Sequence, residues 1–431
     1  MFFAYFCAMI WNNLIFCAAL LTATPSTGDT IPLQLTVNQA ERLLLERNPQ
    51  LRLAQLEVEA AEAILLQEKK WDNPEVSLLY NVYNPITGKY FDASSEGETD
   101  IEIEQSIPIG GQRKERIRKQ EATVNAATSQ QEWTNYQIRM DLHRLLAENY
   151  FLQEKTRVFD KEINSVEHIL QAYRKQAEQG NLSQLEVSRM EALKLRLVGE
   201  RNQFISQLFE RKNDLRLMLC LDDLSFFIIF PYPWTENHSG DRHFQSFLSS
   251  SDCFIDSRPD LMALQSLSKA AEHDLRLQQA NALPRLSMKA EYDKNGNICH
   301  NFFGIGATLT LPLLDRNQGN IKQSKVECER IQIEAEIAQR QADAEIRLRY
   351  GNLMRQQSLL EEAQGMSLAD WSPETAEKQL LNRNISMLEF IDLYDAWRET
   401  QLLIIDARND LMQAIIDLNE ASGKEIINIK Q

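Results

Sequence analysis

Glycine is scarce in this chain, at 15 of 431 residues. A protein built from many tight turns would carry more, so the scarcity favours long helices. Cysteine excludes more than it suggests. Cys220, Cys253, Cys299 and Cys328 are widely spaced and form no C-x-x-C pair, which argues against a disulfide framework or a zinc site. Positive charge is missing from the start: no Lys or Arg precedes Arg42. Residues 1–23 are nonetheless apolar and end in small residues, and are read as a secretory signal cleaved near Ala23, with an N-terminal membrane anchor as the alternative. After them no apolar run reaches the length of a transmembrane helix, so any membrane contact would have to be made by strands. The net charge of −16 and pI near 5.0 leave no clustered cations for nucleic acid. They suit a solvated surface or cation handling. No nucleophile–base pattern, phosphate-cradling glycine loop or H-E-x-x-H is present, and the six His are scattered. Cys299-His300, after a hairpin turn, reads as plain loop rather than as a soft-metal site. Neither an enzyme nor a cofactor nor a bound metal is expected.

What is present is a duplication. Asn48-Pro49-Gln50-Leu51, Ala60-Ala61-Glu62, Pro74 and Ser77 return as Arg258-Pro259-Asp260-Leu261, Ala270-Ala271-Glu272, Pro284 and Ser287. Asn181-Leu182-Ser183-Gln184-Leu185-Glu186-Val187 returns as Asn384-Ile385-Ser386-Met387-Leu388-Glu389-Phe390. The order is the same both times, which marks a repeated structural unit.

Each unit reads as helix, strand, strand, very long helix, tight turn, helix. In the first, residues 36–220, Thr36 is placed to cap a helix over 36–70, with Gln39 three residues on; Pro49 marks a bend or a late start. Strands are expected at about 75–83 and 99–109. In the second of these Ile101, Ile103, Ile107 and Ile109 alternate with Asp100, Glu102, Glu104 and Ser106, giving one apolar and one acidic face. Residues 112–179 contain no Pro or Gly and predict one helix, a rod of roughly 100 Å. Gly180-Asn181 turns the chain and Ser183 caps the returning helix. The second unit, residues 258–422, repeats this with strands at about 285–293 and 303–312 and a long helix over 317–381, interrupted near Pro373. The turn Asn382-Arg383-Asn384 then leads to a last helix from Ser386. Residues 221–257 match neither unit and read as a separate side structure; 423–431 form a tail.

The two short helices of a unit, laid end to end, match its long one, which predicts a two-layer wall. Four amphipathic strands cannot close a barrel, for which about eight is the practical minimum. Open strand edges are not tolerated in lipid. Three copies would supply twelve strands with room for a lumen and would turn the rods into a hollow cylinder. In that arrangement Ile101, Ile103, Leu309 and Leu311 face lipid, and Asp100, Glu102, Glu104, Lys289 and Glu291 the lumen. Trp71, Tyr80, Tyr90, Phe91, Phe302 and Phe303 fit an interfacial girdle or an ordinary core.

The duplicated plan, the strand ends Ile107-Pro108-Ile109-Gly110-Gly111 and Leu311-Pro312-Leu313-Leu314-Asp315, and the tips Gly180-Asn181-Leu182-Ser183-Gln184-Leu185-Glu186 and Asn384-Ile385-Ser386-Met387-Leu388-Glu389 resemble the TolC-like outer-membrane efflux family. The likeness covers almost everything after residue 36. The Pro-Leu-Leu-Asp and Pro-Ile-Gly-Gly turns are similar to those of the CusC and CzcC branch, the ducts of heavy-metal efflux. The resemblance implies a mainly α protein with membrane β. It would be a homotrimer with a twelve-stranded barrel in the outer membrane of a Gram-negative bacterium and a long periplasmic α-barrel. Its implied partners are outer-membrane lipid, a periplasmic adaptor and an inner-membrane pump of RND type, with no nucleic acid. Gly180, Asn181, Ser183, Arg383, Asn384 and Ser386 would form the adaptor-contact tips. Glu389 and Asp392, spaced to share a helix face, match the family's entrance ring and would gather six carboxylates on a threefold axis; as residues alone they read equally as a solvated face. The rival reading is a coiled-coil scaffold of the periplasm or cytoplasm. It accounts for the helices and the charge but not for four amphipathic strands at matching places.

Overall fold

The computed structural model describes residues 33–223, 226–229, 257–295, 300–365 and 373–427. The expected leader over 1–23, Cys299 and most of the inter-repeat segment lie outside them.

The described chain begins with β1 (Leu33–Thr36), which pairs in parallel with β6 (Phe226–Ile229) of the inter-repeat segment, a pairing the sequence did not suggest. Thr36 then caps α1 (Val37–Arg47). The Gln39 N–H donates to the Thr36 hydroxyl at 3.4 Å, and the Thr36 N–H donates to the Gln39 side chain at 3.0 Å. The single helix expected over 36–70 is two. Asn48 breaks it and caps α2 (Pro49–Glu68), accepting the Gln50 N–H at 2.8 Å while its amide donates to the Met218 carbonyl at 2.9 Å. Pro49, lacking an N–H, sits at the first helical position, where none is needed. In the second unit α5 (Pro259–Asn281) starts on a proline in the same way.

Two strands follow each of these helices. They are β2 (Glu75–Tyr80) and β5 (Thr99–Ile107) in the first unit, and β7 (Arg285–Asn295) and β8 (His300–Thr310) in the second. They form one antiparallel sheet in the order β2-β5-β7-β8, so the two hairpins lie side by side and β2 and β8 are its edges. The strand expected over 75–83 ends at Tyr80. Asn81 accepts the Tyr83 N–H at 3.0 Å and Asn84 the Ile86 N–H at 2.9 Å; these side-chain turns replace the ladder. A small hairpin, β3 (Tyr83–Asn84) with β4 (Lys89–Tyr90), fills the loop. Pro108 and Pro312, which have no donor, lie just past β5 and β8. β8 therefore stops one residue short of Leu311, and it starts three residues before the expected Phe303.

The helical part is a wall. The first long helix, α3 (Gln112–Glu178), has 67 residues and returns as α4 (Gln184–Leu219). The second, expected over 317–381 with an interruption near Pro373, is interrupted there. It is α6 (Gln318–Gln364) and, resuming on Pro373, α7 (Pro373–Leu381). Proline clashes with the carbonyl four residues back, so a helix starts there more easily than it passes through. The last helix is α8 (Met387–Ser422). Across the wall the order is α2 and α4 end to end, then α3, then α5 and α8 end to end, then α6. Two cores hold it. One lies at the equator around Leu44, Met140, Leu146, Leu219, Ile228 and Ile416. The other lies towards the tips around Phe159, Ile169, Met190, Leu197, Phe390 and Tyr394.

The helices that end the wall carry uncovered apolar stripes. On α2 these are Leu53, Leu56 and Ile64. On α6 they are Val326, Ile337, Leu348 and Leu359, every eleventh residue. Eleven residues are close to three helical turns, so the stripe keeps to one face along the rod. Among the described residues no helix is long and apolar enough to cross a membrane.

Candidate functional site

The sequence pointed to three surfaces: the sheet, the two helix tips and the start of α8. In the sheet, pairing puts Ile103 opposite Val76 and Ala290, and Ala290 opposite Ile305. The next row is Leu78, Ile101, Tyr292 and Phe303. These, with Leu309, share one face. Side chains alternate along a strand, so the other face holds Asp100, Glu102, Glu104, Lys289 and Glu291, the five residues assigned to a lumen. Glu104 lies opposite Lys289 and Glu102 opposite Glu291. The Lys289 ammonium donates to Glu102 at 3.1 Å and lies 3.9 Å from Glu291. Its stem crosses Gly306, where a Cβ would come within 3.0 Å of it. Glycine therefore lets the lysine lie flat on this face. Among the described residues both edges of the sheet are unpaired.

The tips repeat each other atom for atom in their backbone bonds. Gly180 N–H donates to Ala177 at 3.0 Å and Asn181 N–H to Gln176 at 2.9 Å; Arg383 N–H donates to Leu380 at 3.0 Å and Asn384 N–H to Gln379 at 2.9 Å. That is the Schellman closure, which needs a left-handed residue. Gly180 has φ 74° and Arg383 has φ 63°, so the arginine adopts the conformation for which it is poorly suited. All six tip residues are exposed, and Ser183 and Ser386 cap α4 and α8.

Glu389 and Asp392 are exposed on one face at the start of α8. Glu389 also has a local task. Its carboxylate accepts the Ser386 N–H at 2.7 Å, and Ser386 accepts the Glu389 N–H at 3.3 Å. This capping box holds the Glu389 carboxyl below its ordinary pKa, chiefly through the backbone N–H of Ser386. The Ser386-x-x-Glu389 spacing announces it in the sequence.

Sequence reasoning missed a polar seam buried in the lower core. Glu162 of α3 is fully buried and accepts from Arg398 of α8 at 2.9 Å. Arg398 also donates to Asp395 at 2.7 Å and approaches Glu200 of α4 at 3.7 Å. Arg196 of α4 clasps Asp395 at 2.7 and 2.9 Å. One turn along α3, Ser165 donates to Glu377 of α7 at 2.6 Å and meets the Tyr394 hydroxyl at 2.7 Å. Burial drives the Glu162 carboxyl up to about 7, with Arg398 opposing the rise. The signal was legible: Glu162 falls among Phe159, Val166 and Ile169 on the buried face of α3.

Among the described residues no group of His, Cys, Asp and Glu could hold a metal ion. Residues 41–213 match the family model described as outer membrane efflux protein. No curated protein matches the chain in sequence. Several solved structures match nearly all of it. A membrane protein from Pseudomonas aeruginosa aligns at 15% identity and TM-score 0.73, over 94% of this chain and 97% of that one. The outer membrane protein VceC from Vibrio cholerae aligns at 13% identity and TM-score 0.65, over 90% and 96%. CusC aligns at 16% identity and TM-score 0.67, over 94% and 96%. With the family match over its first half and the fold shared along its length, this chain has the architecture of the outer-membrane efflux channels.

Proposed function

We propose that the protein is the exit duct of a tripartite efflux system. It conducts substrates passively through the outer membrane from a periplasmic adaptor and an RND-type inner-membrane pump. The observation that carries this reading is the pair of open flanks. Among the described residues the strand edges β2 and β8 and the wall edges α2 and α6 are each uncovered, and β2 follows α2 as β8 precedes α6. A heterologous contact between one flank and the other flank of the next copy closes into a ring. Three copies give twelve strands and enclose a lumen. The apolar row around Ile103 then meets lipid, and the acidic face lines the channel. Detergent-extracted protein is expected to have the mass of a trimer; a stable monomer with intact strand content overturns the reading.

The acidic face and the exposed Glu389 and Asp392 favour cationic cargo, and we extend this to heavy-metal cations. A strain lacking the gene, grown against metals and drugs, tests that choice: loss of metal tolerance alone supports it, and loss of drug tolerance alone refutes it. The entrance itself has a cleaner test. Glutamine at 389 keeps the capping box while removing the charge, so Glu389→Gln with Asp392→Asn should leave α8 folded. The double variant is expected to lose cation selectivity and divalent-ion block in planar-bilayer conductance. Unchanged conductance would assign both residues to an ordinary solvated face.

A further inference from the structure

The seam at Glu162 is an unusual choice for a core that is otherwise apolar. Three carboxylates, Glu162, Asp395 and Glu200, face two guanidiniums, Arg398 and Arg196. One negative charge is left over, and a charge is costliest on the most buried member. Glu162 is wholly buried, while Glu200 and Asp395 retain partial exposure. One Glu162 oxygen bonds Arg398; the other is buried and has no partner among the described residues. A buried carboxylate oxygen without a donor is costly as an anion, whereas a proton there neutralises the surplus charge.

The groups that face Glu162 come from each helix packed around it. α8 brings Arg398 and Asp395, and α4 brings Glu200, with Arg196 behind it on Asp395. α3 itself brings Ser165, which links on to Tyr394 of α8 and Glu377 of α7. The cluster therefore joins the long rod to the helices returning from both tips. It lies about 27 Å from the first tip and about 18 Å from the second, counted along the helices.

We propose that the Glu162–Arg398–Asp395–Glu200 cluster is a proton-operated clamp that sets the packing of α4 and α8 against α3, tight when Glu162 is protonated and loosened when it ionises. The direction follows from linkage. The Glu162 pKa, about 7 against an ordinary 4.5, is raised in the packed state. The packed state therefore binds the proton more strongly than a loosened one. The stabilisation is complete at pH below the ordinary value and is lost as pH rises through the raised one. Acid surroundings thus hold the two tips in fixed register, and neutral to alkaline surroundings free them. The inference concerns packing within one chain and stands whether or not the assembly exports anything.

The test is a distance measurement. Leu185 on α4 and Leu388 on α8 are exposed near the two tips. Spin labels on cysteines placed there, in assemblies holding one labelled copy, report their separation by pulsed electron resonance. From about pH 6 to about pH 8 the distribution is expected to lengthen and broaden. Glu162→Gln, a neutral isostere of the protonated acid, is expected to show the acidic distribution at both values. A wild-type distribution that does not change with pH overturns the proposal, as does a Gln variant that keeps the full response. Should the Gln variant fail to assemble, the wild-type comparison decides alone.

Discussion

Ile103→Arg is expected to destabilise the membrane-embedded assembly by roughly 2–4 kcal/mol, while Glu102→Gln, one residue away, changes it by less than about 0.5 kcal/mol. Ile103 sits mid-strand in β5, in the row Val76, Ile103, Ala290 and Ile305. It is 47% exposed in the single chain. If that row meets hydrocarbon, an arginine there must be dehydrated or must drag water and headgroups inward. Glu102 projects from the other face, partly exposed and within 3.1 Å of Lys289. In a water-filled lumen that pair is screened, and removing its charge costs little. Unfolding in lipid vesicles, followed by tryptophan fluorescence or by heat-modified gel mobility, separates the two. Equal tolerance of both changes would refute the facing; greater sensitivity at Glu102 would invert it.

The parts of the fold that were legible in the sequence are those written in period and punctuation. The alternation from Asp100 to Ile107 gives a strand its faces, and the absence of Pro and Gly from Gln112 to Glu178 gives a rod its length. Both are local signals, and the second unit repeats the first of them, while its long helix carries Gly319, Gly351 and the break at Pro373. Two of the errors occurred where a side chain competes with the backbone. Asn48, Asn81 and Asn84 each bond neighbouring N–H groups, which splits one helix and shortens one strand. The β1–β6 pair joins residues nearly two hundred positions apart, and no local pattern reports such a contact. The tip at Arg383 shows the opposite case. Arginine suits a left-handed turn poorly, yet the hydrogen-bonded closure shared with Gly180 imposes one.

The candidate site divides in the same way. The tips and acidic faces could be placed from spacing, because each lies on one element. The buried seam needs α3, α4, α7 and α8 together. A carboxylate at an apolar position of α3 was visible, but its partners, Arg398 and Asp395, lie more than two hundred residues downstream. The capping role of Glu389 is a further lesson. A charged residue in the first turn of a helix has a local electrostatic reason to be there. Its presence alone therefore does not argue for an entrance ring, and the proposed ring rests on the proposed threefold convergence with Asp392.

Replacing Arg398 is expected to have the largest effect on stability of any single change in the rods. Arg398 has a side chain 7% exposed and is bonded to Glu162 and Asp395, with Glu200 nearby. Removing one partner of a buried ion pair typically costs about 3–5 kcal/mol, because the other charge is left without compensation. Here the cost must depend on pH. Well below the raised Glu162 value of about 7, Glu162 is neutral with or without the arginine, and Arg398→Met forfeits mainly its bond to Asp395, which Arg196 still holds. Above that value the wild-type pair is ionised and Arg398 offsets part of the repulsion from Asp395 and Glu200. The variant must then keep a proton on Glu162 against the solution or bury a bare carboxylate. The sign is therefore fixed: the penalty is small in acid and grows as pH rises through neutrality. A double-mutant cycle of Glu162→Gln and Arg398→Met, read from denaturant unfolding by circular dichroism, isolates the pair. The coupling energy should be larger at about pH 8 than at about pH 5, by at least about 1 kcal/mol. A coupling that is equally large at both would mean that Glu162 stays ionised throughout and that the seam is a permanent salt bridge; one equally small at both would mean that Glu162 stays protonated.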